Sequence, residues 1–153
     1  MSDNYLLKLY HKCTKYPAGK WLFSVMFARK APYFASIKPY IEELRPNYCR
    51  LTFKKRRAVQ NHIGTVHAIA VCNGMEMAMG ALAEASIPAS LRWLPKGMNV
   101  EYLAKTTSDV TVEATATPAT WQVGDQPITV EARRDDGTLV AKGQIIIYIS
   151  AKK

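Results

Sequence analysis

Between Ala68 and Leu82 the chain offers only two strongly polar side chains, Asn73 and Glu76. Everything else in that run is Ala, Ile, Val, Cys, Gly, Met or Leu. The pattern predicts one helix, opening near Thr65 to His67 with Thr65 as its N-cap and closing before Pro88. A helix apolar on most sides cannot rest on the outside of a water-soluble domain and must be enclosed. It also falls short of the roughly 20 residues of a bilayer span and carries two polar groups, so protein rather than lipid is expected to enclose it.

The flanking segments supply the enclosure. Ile37 to Leu44 suits a strand, Arg45-Pro46-Asn47 a turn, and Tyr48 to Phe53 a second strand. Residues 58–66 read as a loop containing Gly64. Ser90 to Tyr102 reads as one long strand, or as two pieces broken at Pro95-Lys96-Gly97. Asp109 to Thr117 alternates Val110, Val112, Ala114 and Ala116 with polar partners, as a half-buried strand does. Ile128 to Arg134, the hairpin signal Asp135-Asp136-Gly137, and Leu139 to Ile149 close the chain.

Ahead of these elements, residues 3–30 read as a basic, aromatic, helical arm. Leu6, Leu9, Tyr10 and Cys13 form one stripe, Pro17 and Gly19 interrupt it, and Trp21 to Phe27 is a second apolar segment. Such an arm packs on its own domain or on a partner subunit; the alternative is peripheral membrane contact through residues 5–27. An antiparallel sheet wrapped around one long helix is the hot-dog fold, of the α+β class. The organisation expected is a helical arm over 1–30 and a hot-dog domain over 31–153, one domain overall. Exposed sheet edges then predict a homodimer, or a dimer of dimers giving a homotetramer.

Composition narrows the setting. The 153 residues, 48% hydrophobic and 22% charged, fit one globular domain. The net charge of +9 favours polyanionic partners such as phosphorylated cofactors, anionic lipid or nucleic acid. No nucleic-acid-binding motif accompanies it, so no nucleic-acid partner is expected. Cys13, Cys49 and Cys72 are widely spaced and odd in number, which predicts reduced thiols, no disulfide and no metal site. Cys72, inside the apolar run, is expected to be a small core residue. The N-terminus lacks a signal-peptide pattern, and a cytoplasmic location without stable membrane insertion is expected.

The chemistry centres on Asn61-His62-Ile63-Gly64-Thr65-Val66-His67 and the helix through Glu76. Asn73 and Glu76 are three apart and share a face. Met75, Met77 and Met79 are expected to crowd Glu76, and a carboxylate so placed should have a raised pKa unless paired. The structural alternative puts Glu76 on a solvated stripe or in an ion pair. The first N–H groups of the helix have no intrahelical partner and favour negative charge. Ala68 N–H is therefore a candidate oxyanion donor, with Gly64 allowing close approach of a carbonyl. His67 and Asn61 would orient a thioester or a water; the structural alternative for His67 is a residue capping the loop.

These residues resemble a known family. The hot-dog thioesterases of the phenylacetyl-CoA and hydroxybenzoyl-CoA type carry an Asn, a Gly, a His-Gly-Gly and an acidic residue nine positions after the His. Asn61, Gly64, His67 and Glu76 match that pattern. With Pro32-Tyr33 ahead of the first strand, the sequence is more similar still to a domain-of-unknown-function branch of the same superfamily. The resemblance covers approximately residues 20–150, and residues 61–76 carry its specificity. It implies acyl-CoA as substrate, Glu76 as general base or nucleophile, Asn61 and His67 as positioning groups and Ala68 as the oxyanion donor. It also implies a site at the dimer interface, where Glu76 of one subunit faces the loop of the other. Two departures stand out: Ala68-Ile69 replaces the Gly-Gly, and Glu76 replaces the frequent Asp.

Asn73, Met77 and His62 are the remaining candidates for substrate contact. The basic run Lys54-Lys55-Arg56-Arg57 suits the 3′-phosphate and pyrophosphate of CoA, which enters as part of the substrate and not as a cofactor. A solvated loop is the alternative for that run. The methionines and the Trp21 to Phe27 arm would line an acyl tunnel or simply fill core. Hydrolysis of an acyl-CoA thioester is the leading expectation. A non-catalytic acyl-CoA or acyl-carrier binding module comes second. An acyl-thioester dehydratase or hydratase ranks lower, because the Pro-Gly-rich stretch after the His is missing.

Overall fold

The computed structural model of the chain describes residues 4–117 and 120–153. Position 3, the expected start of the arm, lies outside the described residues. The arm is two helices, α1 (Tyr5–Thr14) and α2 (Gly19–Lys30). The Asn4 side chain caps α1 by accepting from Leu6 N–H at 2.8 Å. Leu6, Leu7 and Tyr10 turn inward from α1, and Phe23, Ser24 and Ala28 from α2. Tyr10 and Phe23 meet edge to face with centroids 5.1 Å apart.

The strand expected from Ile37 starts later. Pro32–Ile37 is a 3-10 helix, and β1 spans Tyr40–Arg45. Lys38 turns left-handed at φ +49°, and Pro39 lacks an N–H for a ladder, so the extended run cannot begin before Tyr40. β1 turns through Asn47, at φ +64°, into β2 (Tyr48–Phe53). A short 3-10 turn (Arg57–Val59) and a loop lead to α3 (Ala68–Ser86). Four strands follow: β3 (Leu91–Tyr102), β4 (Val110–Thr115), β5 (Gly124–Arg134) and β6 (Leu139–Ala151).

The six strands form one sheet in the order β1-β2-β4-β5-β6-β3, with every neighbouring pair antiparallel. α3 packs on β1, β2, β4 and β5 and also meets β3 and β6, so the sheet encloses it. Met75, Met77, Met79, Ala81 and Leu82 have no exposed surface, and neither do Leu51, Val112, Ala114, Val130 and Ile147 from the strands. Burying each large side chain contributes about 1.5–3 kcal/mol, which is the main force holding helix to sheet. Among the described residues no helix is long and apolar enough to cross a membrane.

The two edges of the sheet differ. At one edge the buried Ser24 hydroxyl of α2 accepts from Ile41 N–H of β1 at 2.7 Å. The other edge, β3, is uncovered and exposes Leu94, Met98 and Tyr102. β3 is one strand with a bulge: Pro95 pairs with Ile147 and Gly97 with Ile146, leaving Lys96 as the extra residue. β3 lies so close to β6 that a Cβ on Gly143 would stand 2.0 Å from the Asn99 carbonyl oxygen.

Gly143→Ala is therefore expected to lower the free energy of unfolding by about 1–3 kcal/mol, read from urea melts. A second prediction concerns the β5–β6 turn. Thr138, through its N–H and hydroxyl, and then the Arg134 guanidinium hold the Asp136 carboxyl down to about 2. The folded chain thus binds that proton less readily than the unfolded chain. The resulting stabilisation is present above about pH 4 and fades as pH falls toward 2. The melting-temperature gap between wild type and Asp136→Asn should close over that window.

Candidate functional site

The loop ahead of α3 is organised by Asn61. Its Oδ1 accepts from the N–H groups of Ile63 and Thr65, both at 3.1 Å, and its Nδ2 donates to Thr65 Oγ1 at 2.8 Å. Its backbone N–H donates to Thr65 O at 2.9 Å, closing the loop on itself. The second hydrogen of the Nδ2 amino group has no acceptor among the described residues. Gly64 sits at φ +76° with no atom near an added Cβ, so backbone conformation rather than crowding calls for glycine there. His62 is exposed at the tip of this loop.

The N-cap is His67, not Thr65, whose hydroxyl is taken by Asn61. His67 Nδ1 accepts from Ile69 N–H at 3.1 Å, which in the neutral ring leaves the proton on Nε2. His67 N–H donates to Val59 O at 2.8 Å, and Val66 N–H to Thr106 O at 2.9 Å, so both sides of the domain hold the helix start in place. Ala70 and Val71 N–H both reach His67 O. Of the four N–H groups that open α3, only that of Ala68 has no acceptor among the described residues. It is the free donor at the positive end of an apolar helix.

Glu76 lies two turns further on. It is half-buried and makes no hydrogen bond or ion pair among the described residues. Met75, Met77 and Met79, close to Glu76 in the helix, are fully buried. Met77 is fully buried and lines neither the cavity below nor the surface. Ile69, Cys72 and Glu76 form a partly exposed stripe of α3, and at Cys72 the helix meets β3 along a seam. Cys72 is accordingly not core: its Sγ lies 3.3 Å from Tyr102 Oη on β3. That hydrogen bond, and then burial, raise the Tyr102 phenol above its ordinary range. Further along the seam, Trp93 Nε1 donates to Glu84 Oε1 at 2.9 Å.

Asn73, three positions before Glu76, meets the 3-10 helix Pro32–Ile37. It is only 4% exposed, and its Nδ2 donates to Tyr33 O and Ser36 Oγ, each at 3.1 Å. Its Oδ1 is buried without a hydrogen-bond partner among the described residues. Beside it opens a cavity of about 330 Å³, with Tyr33, Val59, Gln60, His67 and Ile69 among its lining. No residue of Trp21 to Phe27 lines it, so the arm forms no tunnel there. That Tyr33 and Ser36 would form a wall beside Asn73 carries no local sequence signal, since they lie 40 and 37 positions from it.

The basic run does not act as one patch. Lys54 Nζ donates to Asp109 Oδ2 at 2.7 Å and Lys55 N–H to Oδ1 at 2.8 Å, which hold the Asp109 carboxyl below its ordinary range. Arg56 turns inward and donates to Ser36 O. The Arg57 side chain and the Lys55 ammonium make no ion pair among the described residues.

A sheet wrapped on one long helix, with the helix N-terminus and its loop at the opening, defines the hot-dog class, and this chain has that fold. Residues 19–149 match the family described as Domain of unknown function (DUF4442), and the chain belongs to that family. A structural-genomics protein of known crystal structure is 46% identical, over 97% of this chain and 99% of the other, with a TM-score of 0.84. A Pseudomonas aeruginosa protein of unknown function, described as a probable thioesterase, is 20% identical over 90% and 97% of the two chains, with a TM-score of 0.76. A Staphylococcus aureus thioesterase is 14% identical over 78% and 99%, with a TM-score of 0.71. It has been solved with a glutamine and, separately, a glutamate replaced by alanine, at positions fifteen apart. No match was found among curated proteins.

The capping role of His67 is testable by stability. His67→Ala should cost about 1 kcal/mol, whereas His67→Asn, a good N-cap, should restore most of it; thermal melts of the two variants decide.

Proposed function

We propose that the chain hydrolyses an acyl-CoA thioester. The observation that carries this reading is the lone free N–H of Ala68 at the start of α3, on the same helix as an unpartnered carboxylate, Glu76. The thioester carbonyl oxygen would accept from Ala68 N–H and from the spare Asn61 Nδ2 hydrogen. Glu76 would take a proton from water as the water oxygen attacks the carbonyl carbon. The carbonyl oxygen would gain negative charge while accepting from Ala68 N–H, and the tetrahedral intermediate would then collapse and expel CoA as thiolate. Glu76 would return the proton to that sulfur, restoring the site. Direct attack by the carboxylate, through an anhydride that water then opens, uses the same geometry.

One copy does not bring these groups to one carbonyl. Glu76 follows Ala68 by eight residues, about 12 Å along the axis at 1.5 Å per residue. A reacting pair must stand about 3–3.5 Å apart. Cys72, one turn before Glu76, meets Tyr102 of the edge strand β3. Pairing two copies there would set the partner subunit's Glu76 against this chain's loop 61–68 and cover the exposed Leu94, Met98 and Tyr102. The spacing of the two altered positions in the Staphylococcus aureus thioesterase equals that of Asn61 and Glu76, which supports assigning them one site. Arg57 and Lys55, the basic groups without an internal task, would receive the phosphates of CoA.

A second reading is an acyl-CoA binding module without turnover. Ile69 supports it: the side chain stands 52% exposed next to Ala68 N–H, where the resembled family has a second glycine. Release of CoA thiol from a panel of short, long and aromatic acyl-CoAs separates the two. Glu76→Gln should lower kcat by about 100- to 10,000-fold with the fold intact. Retained turnover in that variant would sink the mechanism, and saturable binding without release by wild type would favour the module. Arg57→Ala should raise KM for acyl-CoA on the order of tenfold, yet leave the matching acyl-pantetheine, which lacks the phosphates, unchanged.

A further inference from the structure

Helix α2 is apolar on both faces. Phe23 and Ala28 are buried, while the opposite side presents Trp21 (57% exposed), Leu22 (48%) and Met26 (41%), with half-buried Val25 among them. At 3.6 residues per turn these four fall within an arc of about 140°. A surface helix of a globular domain ordinarily turns polar side chains outward, so this outer stripe has no role in the fold of one copy.

Charge supplies the second observation. Residues 4–41 contain seven Lys or Arg and no Asp or Glu. Lys8, Lys12, Lys15, Arg29, Lys30 and Lys38 are exposed, and none pairs with a carboxylate among the described residues. Position supplies the third. α2 is bonded to β1, at the opposite edge of the sheet from β3, so pairing of copies along β3 leaves the stripe uncovered.

We propose that this face docks on a bilayer containing anionic phospholipid. Trp21, Leu22 and Met26 enter the boundary between headgroups and acyl chains, and the surrounding cations meet the phosphates. A second copy of the chain would not match the charge, because each copy offers only cations here. Tyr33, 65% exposed just beyond α2, also belongs to the lining of the cavity at His67.

The test is flotation of the full chain with vesicles of phosphatidylcholine alone and of phosphatidylcholine mixed with phosphatidylglycerol. Wild type should float with the mixed vesicles, stay behind with the neutral ones, and detach as salt is raised. The triple variant W21S/L22S/M26S should lose at least about tenfold in partition while its circular dichroism and oligomeric state stay unchanged. R29E/K30E, which leaves the apolar stripe in place, should lose binding as well. Absence of wild-type binding, equal binding by the triple variant, or a fall in its oligomeric state, which would make the stripe a subunit interface, overturns the proposal. Thiol release from a short, freely soluble acyl-CoA, measured without vesicles, reports on the proposed catalysis separately.

Discussion

Burial of α3 is the constraint from which the rest of the structure follows. Twelve of its residues are buried, on nearly every side, and a helix of that kind is stable only when a sheet closes around it. The strands β1, β2, β4 and β5 meet this demand with alternating apolar side chains, and β6 and β3 extend the sheet past the helix. Asn73 is the polar exception within the buried face. Its amide ties the helix to the 3-10 segment Pro32–Ile37 and so gives the cavity beside it a fixed wall.

Enclosure also settles where the helix begins. Four backbone N–H groups at that end need partners, and the loop 61–67 provides them for three. Asn61 folds the loop, Val59 and Thr106 hold it, and His67 caps the helix, so the remaining donor at Ala68 is held in a rigid frame. A donor positioned in this way needs no reorganisation when charge develops on a substrate oxygen. One turn before Glu76 on the same helix, Cys72 meets Tyr102 of the edge strand β3, while the basic, aromatic arm occupies the other edge of the sheet.

Long-range packing accounts for the differences between pattern and structure. Thr65 has the right chemistry for an N-cap, but its hydroxyl serves Asn61, so the helix starts two residues later on an imidazole. Lys54 to Arg57 reads as one basic run, yet Asp109 from the start of β4 and Ser36 from the 3-10 segment each claim a member. Cys72 sits in an apolar stretch, but its helical position faces Tyr102 across the seam. Ile37 to Leu44 has strand composition, and Pro39 with left-handed Lys38 shortens it. In each case the deciding partner is remote in sequence or is a backbone restriction that composition does not express.

The sequence by itself determined the elements with strong periodicity or punctuation: the apolar helix, the turns at Arg45-Pro46-Asn47 and Asp135-Asp136-Gly137, and the alternating strands. It also determined that Asn61, Gly64, His67 and Ala68 would lie together, because short spacing across one loop leaves the chain no way to separate them. Tertiary structure alone decided which N–H stays free and which cations stay unpaired among the described residues, and that β3 remains one bulged strand. The physical reason is that local propensities act over a few residues, whereas the partners that satisfy or leave open a polar group come from wherever the packed chain returns.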